Sequence, residues 1–171
     1  MNIILIGYRG TGKSVAGQII SKELDMAYVG MDSEIVKHAG MPIPEIVEKF
    51  GWPKFRDLET QEALAIAKKD NMLVDTGGGI IERPENMEAL QKNGMVFLLT
   101  ASVDTIVERI QDGTQRPALV EGKTFTQEVA QVLEQRKDRY ESAARFVIDT
   151  DDITPEQVAF KIIEIIKANQ S

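Results

Sequence analysis

Short apolar runs alternate along the chain with longer stretches whose apolar positions recur at helical spacing. Ile3, Ile4, Leu5 and Ile6 are apolar without a break, and the run stops at Gly7. A strand covered on one face alternates apolar and polar positions; an unbroken run predicts a strand buried on both faces. Lys13–Leu24 then reads as a helix with Val15, Ile19, Ile20 and Leu24 on its apolar side. The same reasoning predicts strands at Ala27–Val29, Met72–Val74, Met95–Leu99 and Phe146–Ile148. Helices are predicted at Ser33–Lys37, Pro44–Phe50, Phe55–Lys68, Pro84–Gln91, Val103–Ile110, Phe125–Tyr140 and Pro155–Lys167. Pro155 in a first helical turn, after Thr154 as cap, is a start signal for the last of these.

Strands alternating with helices imply an α/β domain: a three-layer α/β/α sandwich around a five-stranded parallel sheet. With 171 residues and no repeat or linker, the expectation is a single domain over residues 1–171. One segment breaks the rhythm. Asp112–Thr124 has little apolar periodicity but two glycines and a proline, and a loop of that length in a compact domain predicts a mobile lid.

Composition narrows the chemistry. Hydrophobic residues make up 43% and charged residues 27%, enough apolar material for a packed core. The formal net charge is −7 and there is no basic run, which argues against a nucleic-acid partner. An anionic ligand must then be held by a few placed cations and backbone N–H groups. Cysteine is absent and His38 is the only histidine. Disulfides, thiolate metal sites and cysteine nucleophiles are therefore excluded, and His38 reads as a residue of an exposed helix face. No basic leader or membrane-length run is visible, so the expectation is a cytoplasmic protein with small-molecule partners, no membrane contact and a monomeric state.

The chemistry starts at Gly7-Tyr8-Arg9-Gly10-Thr11-Gly12-Lys13-Ser14, which fits G-x-x-x-x-G-K-[ST] at every fixed position, between a buried strand and a helix. Glycines let the backbone curl until its N–H groups converge on phosphate oxygens, and the opening helix adds a positive dipole end. Lys13 is a mobile cation for the β and γ phosphates, and Ser14 offers a hydroxyl to Mg²⁺. The loop predicts a bound nucleoside triphosphate; by itself it does not separate kinases from switches.

Further segments are similar to the shikimate kinases, within the nucleoside-monophosphate-kinase-like group of P-loop enzymes. The resemblance runs from Met1 to about Ile166. Its carriers are Phe55-Arg56 with Glu59, Thr76 with Gly77, Gly78 and Gly79, Arg116-Pro117 with Leu119, and Arg136 with Tyr140 four residues on. It implies a P-loop NTPase-type fold with a lid closing over ATP, and phosphorylation of the 3-hydroxyl of shikimate, a small carboxylated cyclic triol. Arg56 and Arg136 are implied to grip the carboxylate, which suits the planar guanidinium fork. An ion pair of Arg56 with Glu59 or Asp57, and a solvated helix face for Arg136, are the other readings. Gly77, Gly78 and Gly79 are implied to contact the substrate, between helices spanning about 32–68 and the lid.

Asp32 is implied to bond the substrate hydroxyls and to take the proton of the attacking one; it also reads as the N-cap of the helix behind it. Arg116 is implied to swing over the phosphates on lid closure. Gly10, Thr11, Gly12 and Val15 belong to the nucleotide site. Arg109 matches an adenine-stacking arginine, although a helix-end cation fits equally, and Thr154 with Pro155 matches the segment walling the adenine's other side. Trp52 and Phe55 either line the acceptor pocket or simply pack.

One departure stands out. The family carries Asp-x-Asp after its second strand, and this chain reads Gly30-Met31-Asp32. The first aspartate, which in the family helps hold Mg²⁺, is a glycine. Met72-Leu73-Val74-Asp75 is an apolar run ending in a carboxylate, the pattern that other P-loop enzymes use to hold Mg²⁺. Asp75 either replaces the missing aspartate beside Ser14 or caps the glycine turn. Other functions consistent with the residues are a different small-molecule P-loop kinase, with a sugar-acid or nucleotide acceptor, and a nucleotide-binding module without catalysis.

Overall fold

A computed structural model describes residues 1–110 and 122–170. Five strands form one sheet: β1 (Asn2–Ile6), β2 (Ala27–Gly30), β3 (Met72–Asp75), β4 (Gly94–Thr100) and β5 (Phe146–Asp149). Their order is β2-β3-β1-β4-β5, and every pairing is parallel. The helices are α1 (Lys13–Glu23), α2 (Met31–Ala39), α3 (Ile43–Ile66), α4 (Pro84–Gln91), α5 (Val103–Ile110), α6 (Phe125–Ala143) and α7 (Pro155–Gln170). A 3-10 turn at Ile80–Glu82, too short to leave a periodic signal, was not expected from the sequence. Among the described residues no helix is long and apolar enough to cross a membrane.

The unbroken apolar runs follow from burial on both faces. Successive strand side chains point to opposite sides. Ile4, Ile6, Val74, Val96 and Leu98 meet Ala63 and Ile66 of α3, Met87 and Leu90 of α4 and Tyr140 of α6. Ile3, Leu5, Leu73, Met95, Phe97 and Leu99 meet Ala16 and Ile20 of α1 and Ile162 and Ile166 of α7. Phe97 is fully buried and stacks on Phe146 at 5.2 Å between centroids; a Phe97→Ala cavity there would cost about 3–5 kcal/mol.

Three local expectations need correction. Val15 is 52% exposed and not part of the core. The seam of α1 is Ala16, Gly17, Ile20 and Ser21, because the helix lies so close to the sheet that a Cβ on Gly17 would sit 2.8 Å from Leu73. The helices expected at Pro44–Phe50 and Phe55–Lys68 are one run, broken only at Gly51 (φ 80°, ψ 167°), with Trp52, Pro53 and Lys54 already helical beyond the break. Helix α2 begins at Met31, earlier than Ser33, so its N-cap is Gly30 and Asp32 lies within the first turn. Asp32 is therefore not a capping residue. The capping of α7 is as expected: the Thr154 hydroxyl accepts from the Gln157 backbone N–H, and the Gln157 side chain accepts from that of Thr154.

Candidate active site

In an open parallel sheet, ligands bind outside the carboxyl ends of the strands, where the strand order reverses. Strand β1 is central, with β3 on one side and β4 on the other, and the loops leaving β1 and β3 meet over a cleft of about 840 Å³. Gly10, Gly12, Lys13, Ser14, Val15, Asp32, Asp75, Gly77, Gly78 and Arg109 border it.

The loop after β1 is tight. Gly7 has φ 138°, and a Cβ there would lie 2.3 Å from the Leu99 carbonyl oxygen, so only glycine lets β1 turn into the loop beside β4. Thr11 is buried; its hydroxyl donates to the Tyr8 carbonyl, and its own carbonyl accepts from Thr150. The Lys13 ammonium donates to the carbonyls of Gly7 (2.8 Å) and Tyr8 (3.0 Å). It is thus held over the loop, where incoming phosphate oxygens would be stronger acceptors than neutral carbonyls.

Ser14 faces Asp75. Its hydroxyl donates to Asp75 Oδ2 at 2.5 Å, and the Tyr28 hydroxyl donates to the same oxygen at 2.9 Å. The carboxylate is turned toward the phosphate loop, and among the described residues it makes no hydrogen bond that caps the glycine turn. Burial, with the Asp75 charge and hydrogen bond adding to it, pushes the Tyr28 phenol up to about 12, so it remains a donor. A serine hydroxyl and a carboxylate are hard oxygen ligands of the kind Mg²⁺ takes, and their convergence at the cleft fits that ion.

Arg56 and Arg136 approach the Gly77–Gly79 loop separately. A Cβ on Gly79 would fall 2.0 Å from Arg56 Nη1. Arg56 is paired with Glu59, and its guanidinium lies 5.3 Å from the Trp52 ring and 5.4 Å from the Phe55 ring, so these aromatics both pack and form a shelf for the cation. Burial pushes the Glu59 carboxyl up, and Arg56 partly pulls it back. Glu59 and Asp32 both come close to Gly77: a Cβ there would lie 2.9 Å from Glu59 Oε1 and 2.8 Å from Asp32 Oδ1. Arg136 is only 5% exposed, which overturns the solvated-face alternative. Its Nη1 donates to the Gly78 carbonyl at 3.2 Å, and the Tyr140 hydroxyl donates to the same oxygen at 2.5 Å.

Arg109 donates to the Thr150 carbonyl at 2.6 Å and to the Gly10 carbonyl at 3.2 Å, tying α5 and the chain after β5 to the phosphate loop. Pro155 is exposed and not among the residues bordering the cleft. Arg116 and residues 112–121 of the expected lid lie outside the described residues. His38 is largely exposed as expected, with Nδ1 3.1 Å from Glu62.

Arg9 is a site residue without a sequence signal. It borders the cleft, pairs with Glu128 at 3.2 Å and packs on Phe125, yet among the described residues its buried Nε and Nη1 have no hydrogen-bond acceptor. It occupies a variable position of the loop motif, so no motif could have flagged it.

A phosphate-cradling loop on a buried parallel strand, facing a carboxylate on the next strand and sharing its cleft with a second glycine loop, defines the P-loop phosphotransferase class. Comparison with known proteins is more specific. The family profile described as shikimate kinase matches residues 9–167. The shikimate kinase of Thermodesulfovibrio yellowstonii is 42% identical over 163 residues, covering 95% of this chain and 93% of that protein. That of Caldicellulosiruptor bescii is 38% identical, covering 99% and 98%. Among solved structures, shikimate kinase from Acinetobacter baumannii in complex with shikimate superposes with a TM-score of 0.93 at 30% identity, covering 98% of this chain and 93% of that one. The chain belongs to the shikimate kinase family.

Proposed function

We propose that the chain transfers the terminal phosphoryl group of ATP to the 3-hydroxyl of shikimate, giving shikimate 3-phosphate and ADP. The observation that carries this reading is the meeting of two glycine loops at one cleft, Gly7–Ser14 on one side and Gly77–Gly79 on the other, with Arg56 and Arg136 set against the second. Family membership favours shikimate over sugar-acid or nucleotide acceptors and favours a catalyst over a nucleotide-binding module.

The roles are those that the family resemblance implies. Backbone N–H groups of Gly10, Thr11 and Gly12 take the phosphates, with Lys13 on the β and γ oxygens; Val15, Arg109 and Pro155 serve the nucleoside end. Arg56 and Arg136 hold the shikimate carboxylate, Gly77, Gly78 and Gly79 admit the ring, and Asp32 holds the hydroxyls. The attacking oxygen forms the new P–O bond as the bond from the γ phosphorus to the bridging oxygen breaks. ADP departs with the electron pair, and the hydroxyl proton goes to Asp32. Such transfer depends mostly on positioning and charge neutralisation. Ser14 and Asp75 would hold Mg²⁺, which would supply positive charge to offset that of the phosphates. Residues 1–171 act as one kinase domain and as a cytoplasmic monomer. Helices over about 32–68 bind the acceptor; the lid over 112–124 with Arg116 is what the family resemblance implies for a segment most of which lies outside the described residues.

The test is ADP release with shikimate, gluconate or nucleoside monophosphates as acceptor. Shikimate alone should drive turnover. Release only with gluconate or a nucleotide would reassign the acceptor, and no acceptor-dependent release would leave a binding module.

A further inference from the structure

The short turn after the triple glycine ends in Glu82, whose carboxylate is spread over two arginines one turn apart on α6. Oε1 accepts from Arg136 Nε at 2.7 Å, and Oε2 accepts from Arg139 Nη1 at 2.5 Å. Burial pushes the Glu82 carboxyl up, but the two guanidiniums outweigh it and hold the group below the usual range.

A guanidinium can take a carboxylate with two parallel bonds along its Nε side or across its Nη end. At Arg136 the Nε side belongs to Glu82, and Nη1 reaches the Gly78 carbonyl. With the Nε side taken, a ligand at the glycine loop would meet the Nη end, of which Nη1 also serves the Gly78 carbonyl. The charges also matter. Two guanidiniums share one carboxylate, so the cluster keeps a net positive charge and still attracts an anion. A one-to-one pair of Glu82 with Arg136 would have cancelled it.

We propose that Glu82 is a positioning residue for acceptor recognition: it fixes the Arg136 guanidinium end-on toward the acceptor carboxylate, while Arg139 keeps the cluster cationic. This rests on the reading of Arg136 as a carboxylate-binding residue. Orientation and charge make opposite forecasts, which makes the proposal testable. Glu82→Ala removes the acceptor atom that holds Nε and raises the local positive charge. Glu82→Gln also removes the negative charge but keeps an oxygen for Nε.

The experiment measures steady-state kinetics and shikimate affinity from the fluorescence of Trp52, the single tryptophan, which lies beside Arg56. Glu82→Ala should raise the shikimate KM and Kd about tenfold, the scale of one lost charge-assisted hydrogen bond. The ATP KM and kcat should stay within about twofold of the parent. Glu82→Gln should recover most of the loss, and Arg139→Ala, which neutralises the cluster, should weaken shikimate binding. Unchanged or tighter shikimate binding in Glu82→Ala, or equal losses in the Ala and Gln variants, overturns the proposal. A broken fold in Glu82→Ala leaves the Gln and Arg139 variants to decide it. Arg136→Met separates the role of Arg136 from that of Glu82. If it leaves shikimate affinity intact, the reading of Arg136 fails; if it weakens affinity while Glu82→Ala does not, the role of Glu82 fails alone.

Discussion

Gly30 and Asp75 are direct register partners on the adjacent parallel strands β2 and β3. The position where the family carries an aspartate thus lies beside the position where this chain carries one, and the Asp75 carboxylate is already bonded to Ser14. The Asp75 carboxylate therefore stands one strand over from Gly30 and still beside the phosphate loop. Asp75→Asn should therefore raise the Mg²⁺ concentration needed for half-maximal turnover, on the order of tenfold for one lost charged ligand. It should also weaken Mn²⁺ binding, read by electron paramagnetic resonance in the presence of ADP. Gly30 has ordinary φ and ψ (−88°, 107°), and a Cβ there meets nothing closer than Ser33 Oγ at 3.5 Å. Gly30→Asp should fold normally and restore metal affinity to the Asp75→Asn protein. An unchanged metal requirement in Asp75→Asn would remove Asp75 from the site.

The Tyr28 phenol donates to the same Asp75 oxygen, and burial, reinforced by that charge, raises it to about 12. The folded pKa lies above the ordinary tyrosine value of about 10. The interaction therefore contributes stability that is fully present below pH 10 and is lost as pH rises through about 12. Absorbance titration at 295 nm in a Tyr8→Phe, Tyr140→Phe background should show Tyr28 titrating high. Asp75→Asn should lower that midpoint but not return it fully to normal, because burial remains. A midpoint that does not move would mean Asp75 has little hold on the phenol.

The architecture was legible because each strand run and most helices carry their own local pattern. The phosphate loop was legible because its glycines, lysine and serine are contiguous. Other features depend on partners far along the chain. Val15 looked apolar and internal, but the close approach of α1 to the sheet reserves the seam for Ala16 and Gly17. Asp32 looked like a cap because the start of α2 is hidden in Gly30-Met31, which has no capping side chain. Glu82 meets Arg136 across 54 residues of sequence, from a turn too short to have a period. The Gly30–Asp75 pairing needed the strand order, which no local pattern supplies.

Arg116 is expected from the family resemblance to act on the transferring phosphoryl group. A cation that arrives only on closure helps the transition state more than the ground state. Arg116→Ala should lower kcat by roughly a hundredfold or more, the scale of one lost electrostatic stabiliser, with the shikimate Kd within about threefold. Equal losses in kcat and in shikimate affinity would place Arg116 on the acceptor instead.

Gly79 tests the acceptor site from the backbone side. Its φ of −95° is open to any residue, so alanine introduces no backbone strain. The added Cβ would instead land on the Arg56 guanidinium, 2.0 Å from Nη1. That guanidinium is the far end of a flexible side chain, so it can swing away, at the cost of leaving the buried Glu59 carboxyl without its partner. Doing so takes it off the Trp52–Phe55 shelf and out of its pairing with Glu59. Gly79→Ala should consequently melt below the parent, as a broken buried ion pair requires, while the shikimate KM rises about tenfold or more, the loss of a charge-assisted contact. The ATP KM should not change, because the phosphate loop lies on a different strand. Arg56→Ala combined with Gly79→Ala should be no worse than Arg56→Ala alone, since the methyl group acts only through that arginine. Additive losses in the double variant would show that Gly79 meets the acceptor directly.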